Sequence, residues 1–205
     1  MRQKINCNWH RYVDLGLPSG LLWATCNIGA KESWESGLYF SWGNVDGHAY
    51  GSWSYEYGSW SYELTPGGKL TTDIPVDAGY DAARANLGGG WRMPTKYEFK
   101  ELHYYCTKKW TTHNGVNGRM FTSKINGNSV FFPAVGYYYG MVLYGDSING
   151  RYWSSSFISP HTVYSFSFHS MAGDPLCYTY PFYGFPVRAV LDHPKDSLLI
   201  KKLKR

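Results

Sequence analysis

The reactive side chains of this sequence are four cysteines, seven histidines and a run of three serines. Cys7, Cys26, Cys106 and Cys177 are spaced widely and irregularly, with no CxxC or Cys/His pattern of the kind that holds zinc. They are also too few to build a fold on disulfides. Cys26 follows an apolar run and Cys106 falls on an apolar helical face, so buried thiols are expected at both. Cys177 stands alone in the late part of the chain without an evident activating base, which is poor material for a nucleophile. The histidines, among them His48, His103, His113, His161, His169 and His193, show neither HxxxH nor HxH spacing. Asp146 and Asp174 are isolated carboxylates, whereas calcium requires several converging oxygens. Ser154, Ser155 and Ser156 read as side chains that satisfy backbone groups in a tight turn rather than as nucleophiles. No catalytic residue, metal or cofactor is expected, and the chemistry left to such a chain is binding.

The elements that would carry a binding surface come next. Charged residues make up 17% and aromatics 19% of the 205 residues, with 23 glycines, a composition of folded, turn-rich chains rather than disordered ones. Tyr and Trp in such numbers also suit recognition, because their rings give contact area at low entropic cost. The net charge of +5 gathers partly in the tail from Lys195 to Arg205, which reads as a solvated terminus; no nucleic-acid partner is expected. No apolar run reaches bilayer-spanning length, so no membrane insertion is expected, and the first residues lack the apolar core of a signal peptide.

Tyr12 to Ala30 predicts two short strands around a Pro18-Ser19-Gly20 turn, and Leu38 to Trp42 another. The heptad YGSWSYE at 50–56 is repeated unchanged at 57–63; two copies cannot form a solenoid, so they read as a lengthened surface loop spanning 47–72. A helix is predicted over Tyr80 to Leu87, stopped by Gly88-Gly89-Gly90. A second begins at Thr95, where TKYE offers a capping box to Glu98, and Phe99, Leu102 and Cys106 share one face. Arg119 to Ile125 and Asn128 to Phe132 then predict strands joined by a tight hairpin at Asn126-Gly127. Helices early and strands late give an α+β class: two short helices, irregular antiparallel sheets and long loops. The chain divides into an N-terminal extension (1–11), one domain (12–192) and a basic tail (193–205).

In VYSFSFH, Tyr164, Phe166 and Phe168 alternate with Val163, Ser165, Ser167 and His169. A strand sends successive side chains to opposite faces, so the rings are predicted to be core and the others exposed. Between Ile125 and Pro194 there is no Lys, Glu or Gln. The residues found there instead (Tyr, Ser, Phe, His, Asp, Ile, Pro, Cys, Leu) all have codons ending in a pyrimidine. Randomising the adenines of Asn codons would leave that signature, and so would an aromatic β segment poor in charge.

VDLGLPSGLLWATCNIGA, YFSWGN, GGGWRMPTKYEFKEL, NGNSVFFPAVGY, GRYWSSS and GFPVRAV, in that order, resemble the Fibrobacter succinogenes major paralogous domain family of gut Bacteroidetes. The resemblance implies a C-type lectin-like fold, near formylglycine-generating-enzyme-type domains. The chain also resembles the variable proteins of diversity-generating retroelements, whose hypervariable ligand surface lies between invariant framing blocks. Carried onto this chain, the resemblance makes 134–190 the variable region, framed by Gly150, Tyr152, Trp153, Ser154, Ser155, Ser156, Gly184, Phe185, Val187 and Arg188. Trp91, Tyr164, Phe166 and Phe168 are expected to complete the scaffold. The display positions it implies are Tyr137, Tyr139, Met141, Leu143, Tyr144, Asp146, Arg151, Phe157, Ser159, His161, Ser165, Ser167, His169, Tyr178, Tyr180 and Tyr183, gathered in one exposed patch. Met141 does not fit a randomised Asn codon. The EPN, QPD and WND triplets of calcium-dependent lectins do not occur in this sequence. The expected function is non-enzymatic binding of a protein or glycan on another cell surface, by a phage receptor-binding protein or a surface adhesin, located on a virion or cell surface. A structural module of a bacterial surface, and an oxidase like the formylglycine-generating enzymes, are the alternatives.

Overall fold

The computed structural model describes residues 11–52, 66–159, 161–170 and 176–192. The N-terminal extension apart from Arg11, most of the duplicated heptad, Cys7, Asp174 and the basic tail lie outside the described residues. The described chain is α+β, with two α-helices and mostly antiparallel sheets.

β1 (Tyr12–Asp14) and β2 (Leu22–Ala24) pair antiparallel around the predicted turn, where the Gly20 amide bonds to the Leu17 carbonyl. With β14 (Val190–Leu191) and β4 (Trp91–Arg92) they make a four-stranded sheet in the order β1-β2-β14-β4. β3 (Tyr39–Phe40) pairs with β13 (Phe185–Pro186). α1 (Ala82–Leu87) starts at Asp81, whose carboxylate accepts the Ala83 and Arg84 amides and, across the chain, that of Met93. α2 (Lys96–Tyr105) carries the full capping box between Thr95 and Glu98.

α2 ends one residue before Cys106, which instead opens β5 (Cys106–His113), a strand the sequence pattern does not single out. Its thiol still packs with Phe99 and Leu102, so the apolar face is right and the secondary structure is not. β5, β6 (Val116–Ser123) and β7 (Ser129–Pro133) form an antiparallel meander. The connection between β6 and β7 is wider than the predicted two-residue turn. Gly127 alone takes a positive φ, of 74°, while the Asn126 side chain accepts the Asn128 amide and donates to the Asp14 carbonyl. An anchor to β1 replaces the tight turn.

The largest sheet has the order β12-β11-β10-β8-β9, built from β8 (Val135–Tyr139), β9 (Val142–Asp146), β10 (Asn149–Ser159), β11 (Thr162–His169) and β12 (Leu176–Thr179). Its pairings are antiparallel except that of β8 with β10, which is parallel. Both faces of its middle are packed. Tyr152, Phe166 and Phe168 join a core with Trp23, Phe99, Phe121 and Phe132, while Trp153 and Val163 join another with Phe40, Trp42, Trp91 and Phe185. Adjacent residues of a strand face opposite ways, so Tyr152 and Trp153 anchor the two cores from one point.

Three polar tips inside the cores are satisfied by backbone. Trp153 Nε1 donates to the Phe40 carbonyl at 2.6 Å, Trp42 Nε1 to that of Ser154 at 2.8 Å, and the Tyr152 hydroxyl to that of Pro133 at 2.7 Å. Burial holds the Tyr39 and Tyr152 phenols far above their ordinary pKa, which keeps both as donors. Gly150 is required by contact: a Cβ there would meet the Phe168 ring at 2.1 Å.

Candidate functional site

Three serines set the outer end of β10. Pairing with β11 runs Trp153 to Ser165 and resumes at Phe157 to Val163, so β10 carries two extra residues across Ser154, Ser155 and Ser156. These serines therefore lie in a bulged strand, not in the expected tight turn, and all three are buried. The backbone groups freed by the bulge are paired elsewhere. The Ser155 amide and hydroxyl donate to the Pro94 carbonyl, its own carbonyl accepts the Ile74 amide, and Ser156 Oγ accepts the Lys96 amide. Backbone satisfaction is borne out while the turn is corrected.

The segment Tyr180–Phe185 returns over the sheet face that carries Tyr137, Arg151 and Trp153. Phe185 stacks on Trp153 at 4.2 Å and closes edge-on against Tyr137 at 5.7 Å. That cover explains the main correction. Ser165, expected on display, is fully buried beneath it with its hydroxyl on the Cys177 carbonyl, and Val163 is buried beside it. The alternation in β11 is real, but its second face is core for half its length. Tyr164, expected in the core, is only half-buried, at the sheet's flank under Lys96 (4.3 Å) and against Tyr178 (5.6 Å).

On the outer side of this cover the tyrosines form a connected surface. Tyr137 on β8 lies opposite Tyr144 on β9, and their rings stack at 5.9 Å. Tyr139 reaches Tyr183 at 4.9 Å and Tyr144 at 6.2 Å. Tyr180 stacks on Phe182 at 5.3 Å and on Tyr183 at 6.3 Å. The Arg151 guanidinium lies 4.4 Å from the Tyr137 ring centre. Burial, helped by the neighbouring Tyr139 and Tyr137, raises the Tyr183 pKa, so its hydroxyl stays a donor. Beside this surface a cleft of about 240 Å³ is lined by Arg151, Thr162, Tyr178, Thr179, Tyr180 and Tyr183.

The nominated residues do not all meet. Tyr137, Tyr139, Tyr144, Arg151, Tyr180 and Tyr183 come together. Tyr178 is 71% exposed on edge strand β12 with its ring toward Tyr164, and it walls the cleft. Met141 and Asp146 are exposed along β9 and its turn, whereas Leu143 turns inward onto Tyr39, Val135 and Tyr138. Phe157 packs on the Trp153 core and on Trp42 at 6.4 Å. Ser159 and exposed His161 belong to the β10–β11 tip, where Ser159 Oγ bonds Thr162 Oγ1. Ser167 lies opposite Arg151, and His169, at the far end of β11, is held by Arg119 Nη2 on its carbonyl. The single patch is thus corrected to a tyrosine surface with satellites at the strand ends.

Three contributors escaped the sequence reading: Phe182 on the tyrosine surface, and Thr162 and Thr179 in the cleft. Phe182 sits among nominated tyrosines and was separable from them only by its ring contacts. Thr179 was signalled by the period of β12, which places it on the face opposite Tyr178.

The frame behind the surface is closed. Arg188 is wholly buried, donating Nε to Asn27 Oδ1 at 2.9 Å and Nη1 to the Ala24 and Thr25 carbonyls, with its plane 4.6 Å from Phe132. Among the described residues no three His, Cys, Asp or Glu side chains gather into a group able to hold a metal, and Cys26, Cys106 and Cys177 form no disulfide. No helix among the described residues is long and apolar enough to cross a membrane. Comparison with protein-family models, curated proteins and solved structures finds no match to this chain.

Proposed function

We propose that this chain is a non-enzymatic ligand-binding protein of C-type lectin-like fold, a variable protein whose displayed surface is diversified by a retroelement. In this reading it serves as a phage receptor-binding protein or surface adhesin, recognising a protein or glycan on another cell. The observation that carries the proposal is the joined surface of Tyr137, Tyr139, Tyr144, Tyr180 and Tyr183 with Arg151, backed by the fully buried Trp153 and Phe185. Tyrosine gives amphipathic contacts of the kind antibody loops use. A frame buried independently of those side chains allows them to change without unfolding the protein.

The test is binding to arrays of glycans and of cell-surface ectodomains by the protein and by a variant with Tyr144, Tyr178 and Tyr180 all changed to alanine. The expected result is loss of the array signal with the melting temperature kept within about 6 °C, since exposed substitutions cost about 0.5 kcal/mol each. Unchanged binding by the triple variant rejects the display surface. Diversification has a separate genomic test: a near-copy of the 3′ coding repeat beside a reverse transcriptase.

The assembly-module reading draws on a second exposed aromatic area, around Tyr97 and Tyr104 on α2, with Lys96 and Lys100 over the Tyr97 ring. Substituting Tyr97 and Tyr104 while following the oligomeric state separates that reading from the first.

A further inference from the structure

The cleft beside the tyrosine surface contains two buried polar atoms with no hydrogen-bond partner, Arg151 Nε and Thr179 Oγ1. Thr179 is 4% exposed and lies opposite Val163, and Arg151 lies opposite Ser167. Val163 and Ser167 are four residues apart on β11, so Arg151 and Thr179 project from the same face of the sheet. Buried donors without partners are uncommon in folded proteins, and two lining one cleft point to a group that would complete them.

Arg151 takes part in none of the ion pairs among the described residues. Its guanidinium carbon lies 4.4 Å from the Tyr137 ring centre and 5.9 Å from that of Phe185, in the corner these two perpendicular rings make. The result is a planar cation, preoriented and unneutralised, whose geometry matches a carboxylate. The volume, about 240 Å³, falls below the roughly 300 Å³ at which whole small-molecule sites begin. It suits one ring-sized unit of a longer ligand. Tyr180 and Tyr183, whose rings stack on one another, complete its walls with Tyr178 at the edge strand.

We propose that this cleft takes a carboxylate-bearing sugar, with the acid on Arg151 and a neighbouring ring oxygen or hydroxyl on Thr179. The proposal rests on the reading of this face as a ligand surface and names the ligand class. A simple carboxylate would answer Arg151 but leave Thr179 unmet. The side chain of an acidic peptide residue carries no oxygen beside its carboxylate and no ring face to lie on tyrosine. A sugar acid has all three.

The test is calorimetric titration of the full chain with methyl glucuronide, methyl glucoside, a methyl sialoside, acetate, inorganic phosphate and a glutamate-containing tripeptide. Arg151→Gln and Thr179→Val are titrated in parallel, with circular dichroism confirming that each is folded. At least one sugar acid should bind, roughly ten- to hundredfold more tightly than the neutral glucoside, with a loss of similar size in Arg151→Gln. Thr179→Val should shrink the preference for the sugar acid over acetate. The inference is overturned by equal binding of the glucoside, by an Arg151→Gln variant that binds as well, by tighter binding of phosphate or tripeptide, or by no sugar acid binding at all. If these fail while the triple-tyrosine variant still loses its array signal, the acid assignment falls and the display surface stands. If the triple variant keeps that signal, the display surface itself has failed.

Discussion

At the residue scale, Arg188 shows how far the frame depends on a single side chain. It is completely buried with no carboxylate to pair it, and burial lowers its pKa. What holds it is backbone: the Ala24 and Thr25 carbonyls, with Asn27 Oδ1. Arg188→Met keeps the apolar stem but strands those acceptors, each at a cost of about 1–3 kcal/mol. Urea unfolding should therefore show a loss of about 3 kcal/mol or more, and a loss under 1 kcal/mol would remove Arg188 from the frame. Nothing in GFPVRAV marks this arginine as buried, because its partners come from a segment more than 160 residues earlier. Cys106 was legible by contrast, from its place on the Phe99–Leu102 stripe. Burial pushes its thiol up to about 11. It should resist a disulfide reagent at pH 8 in the native protein and react once unfolded, and fast native labelling would contradict its burial. Because the folded-state value is the higher one, the native state binds this proton more strongly. Its contribution to stability is present below the ordinary thiol value of 9.0 and is lost as pH rises toward 11.

At the scale of elements, the parts legible in the sequence are those set by local chemistry. The capping box of α2 is one, since Thr95, Glu98 and the apolar stripe lie within a few residues of one another. Glu98 does more than cap: it accepts the Thr95 amide at 2.7 Å and both Arg92 Nη atoms, at 2.9 and 2.6 Å. Thr95→Ala should cost about 1 kcal/mol, the usual worth of a cap. Glu98→Ala should cost about 3 kcal/mol, because it also leaves half-buried Arg92 without its main partner. Thermal unfolding of the two variants decides the point; equal losses would mean that the ion pair adds nothing. What was not legible depends on partners distant in the chain. The bulge at Ser154–Ser156 exists because Pro94 and Ile74 take the hydrogen bonds that β11 does not. β11 has two buried faces because residues 180–185 fold back over it, and no period in VYSFSFH can report that.

At the scale of the whole molecule, the sheet β12-β11-β10-β8-β9 works as a partition, with both of its faces packed at the centre and tyrosines displayed where the cover ends. The α+β class is readable from the order of helices and strands, and the tyrosines of the surface, though not Phe182 among them, are legible in the sequence. The grouping is not, because it depends on which strands lie side by side. β8 pairs in parallel with β10, and that pairing brings Tyr137 under Arg151. The partition predicts a stability ledger with two distinct populations. Trp153 is fully buried, stacked on Phe185 and bonded to the Phe40 carbonyl, so Trp153→Ala should cost about 3–5 kcal/mol. Tyr144, Tyr178 and Tyr180 are 43%, 71% and 49% exposed, and serine at each should cost about 0.5 kcal/mol. Ser165 is the discriminating position. Its place in the sequence groups it with the displayed residues, yet it is buried with its hydroxyl bonded to Cys177. Ser165→Tyr should overpack the core and cost about 1–3 kcal/mol, whereas tyrosine at neighbouring Ser167 should be tolerated. Chemical denaturation of the pair reads the boundary directly: equal tolerance at 165 and 167 would mean that the cover formed by residues 180–185 does not seal the face, and the separation of frame from display would go with it.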